Sequence, residues 1–119
     1  MKIEVSNGEI VDKITILHIK KNNITKPSKL ININKELEYL VKISLSIDVK
    51  YEDVKELEEV NSQLWEVEEE LRLCEIANIF NDYFITLARQ VYKLNDQRAA
   101  IKKKINLYTN SSLVEEKSY

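Results

Sequence analysis

The chain has 119 residues, 44% hydrophobic and 32% charged, which suits one globular domain with a modest core and excludes a disordered chain. Its net charge of −2 argues against a generic binder of nucleic acid or another polyanion. One Gly and one Pro leave almost no turn residues for the corners of a sandwich or barrel, so the fold is predicted to be all-α.

The single Cys74 excludes an internal disulfide and a multi-cysteine metal site. Met1–Val5 carries no charged leader followed by an apolar run. No stretch approaches the roughly 20 apolar residues of a membrane span. The expectation is a cytoplasmic protein without a membrane partner.

Met1–Val5 alternates weakly and reads as a short strand or an extended arm. Ser6-Asn7-Gly8-Glu9 reads as a capping box, with the Ser6 hydroxyl accepting from the third helical amide and Glu9 reaching back. A first helix follows to about Ile24. Ile10, Ile14, Leu17 and Ile24 form its seam, and Val11, Ile16 and Ile19 make it apolar on most sides, as in a buried helix. Pro27 marks a turn with Ser28 as a reasonable cap. The second helix then runs to about Ser46, with Leu30, Ile33, Leu37, Leu40 and Ile47 on one seam. Ser46 or Asp48 caps the next helix.

The third helix, about Tyr51 to Ala77, steps Leu57, Val60, Leu64, Val67, Leu71 and Cys74 by three and four without exception. Asn81 or Asp82 caps a fourth, whose seam is Phe80, Phe84, Leu87, Val91, Leu94, Ile101, Ile105 and Tyr108. Residues 52–75 are strongly acidic and residues 82–108 basic, so the two helices are complements that belong side by side. Short turns make an antiparallel up-down four-helix bundle of two α-hairpins the economical arrangement. Residues 1–112 then form one domain, and 113–119 a short amphipathic tail. The third and fourth helices outrun the others, an overhang that a homodimer would cover.

Arg98 interrupts the fourth seam. A guanidinium at a core position must be paired, because a stranded buried charge costs several kcal/mol, on the order of 3–5. Folding the last two helices back about residues 79–80 sets Asn61 opposite Arg98, Trp65 opposite Leu94 and Glu68 opposite Val91. A first helix antiparallel to the fourth brings Asp12 toward Arg98 and Lys102. The expected cluster is Asp12, Asn61, Asn95, Arg98 and Lys102, serving either as a buried ion pair that fixes helix register or as a ligand site. A stripe of Asn61, Trp65, Glu68, Arg72 and Glu75 beside the third seam is a solvated face with helical ion pairs or the wall of a polar cleft. A metal site would need Glu68 or Glu75 to meet Asp82 or Asp96, since neighbouring carboxylates on a helix diverge. The expectation is no metal and no cofactor. His18 has no partner at a recognisable spacing and reads as a solvent-edge histidine. Cys74 reads as an inert core thiol. There is no nucleophile–base pair and no Gly-rich phosphate loop, so no catalytic residue is assigned.

Residues 6–13 (SNGEIVDK), 60–65 (VNSQLW), 87–102 (LARQVYKLNDQRAAIK) and 115–119 (EEKSY) together resemble a family of short bacterial proteins classed as a domain of unknown function. The resemblance implies that Asp12, Lys13, Asn61, Trp65, Arg89, Asn95, Asp96 and Arg98, with the tail, belong to a family pattern. It also implies surface-polysaccharide or glycosyltransferase contexts. The expected function is a helical interaction or adaptor module that dimerises and docks a protein partner, with Leu113–Tyr119 taking part. Its ligand-site candidates are Asp12, Lys13, Asn61, Trp65, Arg72, Asn95, Arg98 and Lys102. The alternative is a small helical enzyme or anion-binding protein with a polar site around Arg98. Residues 94–101 are similar to the arginine-bearing helix of all-helical chorismate mutases but lack a second arginine set. The acidic third helix is similar to that of all-helical nucleotide pyrophosphatases but lacks their paired carboxylate motifs.

Overall fold

A computed structural model describes residues 3–114. Within them the chain forms four helices: α1 (Asn7–Asn23), α2 (Pro27–Ser44), α3 (Tyr51–Ala77) and α4 (Asp82–Tyr108). They make the antiparallel four-helix bundle that the periodicity predicts, two α-hairpins packed together. Residues 3–5 are exposed and form neither helix nor strand. Of the tail, Leu113 and Val114 are outside any helix, and Glu115–Tyr119 lie outside the described residues.

The helix boundaries follow local chemistry. Ser6 caps α1, its hydroxyl accepting from the Glu9 amide at 3.2 Å. The other half of the capping box does not form, because the Glu9 carboxylate is drawn across to Lys102. Pro27 is the first residue of α2 rather than part of the preceding turn; its missing N–H is no loss there and its fixed φ suits the helix start. Ser28 therefore lies inside the helix, and Lys26 occupies the cap without a side-chain bond. Nor does Ser46 or Asp48 cap α3, which begins after Lys50, again without a side-chain cap. Lys50 instead places its ammonium 4.4 Å from the centre of the Tyr108 ring, a cation–π contact joining the start of α3 to the end of α4. Asn78 closes α3 in the left-handed conformation at φ 54°, which Asn tolerates better than most residues. Asn81 then caps α4 by accepting from the Phe84 amide.

The main core lies between α3 and α4 and is closed on one side by α1. Leu57, Val60, Leu64, Val67 and Cys74 face Leu87, Leu94, Ile101 and Ile105, with Val11 inserted from α1. The ends of the predicted α4 seam fall away: Phe80 and Tyr108 are exposed. A second, smaller cluster joins Leu17 of α1 to Ile33 and Leu37 of α2. α1 touches all three other helices, whereas within the described residues α2 touches α1 alone. That explains why α1 is apolar on most sides: it is the middle layer. α1 runs parallel to α3 and antiparallel to α4, its end lying beside Trp65 and Glu66. Beyond that level, α3 and α4 continue as a bare two-helix tip.

Candidate functional site

The first turns of α1 are stitched to the last turns of α4 by a ladder of polar contacts. The Asn7 backbone N–H donates to Ser111 Oγ at 3.0 Å, and its side-chain amide donates to Thr109 Oγ1 at 3.0 Å. The Gly8 N–H donates to Asn106 Oδ1 at 2.6 Å. Lys102 Nζ meets Glu9 Oε2 at 2.5 Å. Ser112 donates to Glu4 at the open end. The ladder finishes at Asp12, whose side chain is 0% exposed.

Asp12 is fully engaged. Arg98 grips it with two parallel donors, Nε to Oδ1 at 2.9 Å and Nη2 to Oδ2 at 2.5 Å. This fork geometry is specific to arginine. Asn61 donates to Oδ1 from the other side at 2.9 Å and also to Thr15 Oγ1 at 2.8 Å; Thr15 donates in turn to the Asp12 carbonyl at 2.7 Å. Asn61 and Arg98 thus meet through Asp12, which sits between them. The Asp12 carboxylate raises the Arg98 pKa above its ordinary value, chiefly through the hydrogen bonds, against a smaller opposing effect of burial. No buried side-chain nitrogen or oxygen lacks a partner among the described residues, so this core network is complete on its own.

Of the predicted candidates, Asp12, Asn61 and Arg98 come together in one contact set. Asn95 sits at its edge, with a 3.5 Å approach to Arg98 Nη1, near the limit of a hydrogen bond. Lys102 lies close by, with its ammonium on Glu9. Lys13 is exposed. Arg72 is also exposed and pairs with Glu69 one turn away on the tip, so it is apart from the cluster. Trp65 is half-buried and lines a separate groove against the end of α1. Among the described residues no group of three or more His, Cys, Asp or Glu side chains converges as a metal site would require, and no helix is long and apolar enough to cross a membrane.

Sequence reasoning missed Gly8 and Asn106. A Cβ on Gly8 would lie 2.5 Å from the Lys102 carbonyl oxygen, so α1 and α4 approach closely at this point because the residue has no side chain. The signal was available: the chain's one Gly stands inside a helix, where it costs about 1 kcal/mol relative to Ala. A third contact lies at the same end of the molecule. Lys104 reaches the buried Asp53 at 3.3 Å and Glu56 at 3.2 Å, and the hydrogen bonds to Glu56 and then Asp53 raise its pKa.

A chain of four helices whose first helix is held in place by a continuous polar ladder and a buried ion pair belongs to the class of small all-α bundles. The chain is a member of a family of unknown function, DUF6165, whose model matches residues 1–119. No curated protein matches it, and no solved structure does.

Proposed function

We propose that this protein is a helical interaction module that self-associates through the tip of its α3–α4 hairpin. The observation that carries this reading is the bare tip. Past Trp65, neither α1 nor α2 covers the last turns of α3 or the first of α4. Leu73, Ile76, Ile79, Phe80 and Ile85 are all exposed there, Ile76 at 79%. Phe80 and Phe84 stack edge to face at 5.2 Å, so the turn presents a formed aromatic pair. Fully burying each such aliphatic or aromatic side chain contributes about 1.5–3 kcal/mol, against an association cost of about 4–15 kcal/mol. A few of these residues per copy are enough to offset it.

A second copy is the occupant that fits. The α3 side of the tip carries Glu68, Glu69, Glu70 and Glu75, and α4 carries Arg89 and Lys93 just beyond. In a two-fold pairing, α3 of one copy lies along α4 of the other and the same contacts form twice. The ion-paired Asp12 cluster supplies the rigid body behind the tip. An anion site at Arg98 has less support, because Asp12 already holds the guanidinium edge that a carboxylate or phosphate would use.

Light scattering after size exclusion tests the reading. The native chain is expected at twice its 14.0 kDa mass, and Ile76→Glu with Phe80→Glu at the single mass with unchanged helicity. A native chain that stays monomeric up to millimolar concentration overturns it.

A further inference from the structure

The groove between the end of α1 and the middle of α3 is separate from both the ion-pair cluster and the tip. We propose that it binds an organic ammonium group. The groove has a volume of 180 Å³ and is walled by α1 residues 18–23 and α3 residues 58–66. At about 30 Å³ per water, it holds roughly six waters, room for a substituted ammonium head. Its chemistry is one-sided. Glu58 and Glu66 line it with Trp65, His18, Asn22 and Ser62, and no Lys or Arg does.

The carboxylates Glu9, Asp12, Asp53 and Glu56 each have a Lys or Arg partner. Glu58 and Glu66 have none among the described residues. An indole flanked by two uncommitted carboxylates suits a cation, because the ring's negative face and the carboxylates attract the same charge. The lining also rejects anions, since both acids would repel one. The side chains of Trp65 and Ser62 make no hydrogen bond within the described residues, so their donors are available to substituents on the ammonium carbon chain.

Trp65 is the chain's one tryptophan, so its fluorescence and its indole N–H resonance report on this groove alone. Titration with tetramethylammonium is expected to give a saturable change, and tert-butanol, of similar size and no charge, none. Glu58→Gln and Glu66→Gln are each expected to weaken tetramethylammonium binding about two- to fivefold, the order of one lost charge contact at an exposed carboxylate. Both residues are exposed, so helicity by circular dichroism should be unchanged. Blocked lysine, N-acetyl-lysine amide, distinguishes the source: tighter binding than tetramethylammonium points to a protein side chain, weaker binding to a free small ammonium. A change that never saturates, an equal response to tert-butanol, or unaltered affinity in both Gln variants overturns the proposal.

Discussion

Asp12 and Arg98 share a two-point ion pair but are unequally buried: the aspartate side chain is 0% exposed and the arginine 27%. The inequality predicts unequal mutants. Arg98→Met strands a carboxylate that has no route to water, at a cost of about 3–5 kcal/mol. Asp12→Asn leaves a guanidinium that can turn outward to solvent, at a cost of about 1–3 kcal/mol. The double variant should cost less than the two single changes added together, because the stranded charge is gone. Urea denaturation of the four proteins checks this; equal single-mutant costs, or strict additivity, would show that the pair does not act as a unit.

Arg98 was legible in the sequence because it breaks an apolar seam, and a broken seam demands a partner; Asn61 and Asp12 followed from the register of the helices folded against it. Two antiparallel hairpins then leave few places for that partner. The role of Glu9 was not legible: in the sequence it satisfies a local capping rule, and only the nearness of Lys102 shows that the long-range contact wins. α2 shows a second limit. Its seam of Ile33 and Leu37 says that one face is covered but not by which neighbour, and the structure assigns α1 alone. The Trp65 groove was not legible either, because it is a space between two helices and no residue spacing on one helix encodes it.

Gly8 should tolerate no side chain. Gly8→Ala would normally stabilise a helix interior, by about 1 kcal/mol. Here the new methyl meets the Lys102 carbonyl oxygen at 2.5 Å and Asn106 Oδ1 at 3.0 Å. α1 and α4 must separate, weakening the bonds at Asn7, Gly8 and Glu9 together. The expected outcome is a net loss of about 1–3 kcal/mol, as for other overpacked sites, read as a lower melting temperature. A variant as stable as the parent would mean that the helices part without loss.

Cys74 is buried on the α3 seam, so a thiol reagent should reach it only when the hairpin opens. In native buffer the reaction should be slower than in urea by orders of magnitude, with a rate that follows the local opening equilibrium. Ile76→Glu and Phe80→Glu should change that rate little if the tip hairpin is held by its inner seam. They should accelerate it if self-association protects the tip, which makes the thiol an independent test of the proposed self-association.

Tyr83 donates to Glu70 Oε2 at 2.9 Å across the tip. That hydrogen bond is the main reason its phenol pKa lies above the ordinary tyrosine value, with slight burial and the Glu70 charge adding to it. The folded protein therefore holds the phenol proton to higher pH than the unfolded chain does. Its contribution to stability is complete below the ordinary tyrosine pKa and is lost as pH rises through the raised one. In an alkaline titration followed by tyrosinate absorbance, Tyr83→Phe should remove a late-titrating component, and Glu70→Gln should move that component to lower pH. Both changes lie on the solvent side of the tip, so neither should alter helicity at neutral pH. If Glu70→Gln leaves the titration curve unchanged, the bond across the tip does not persist in solution.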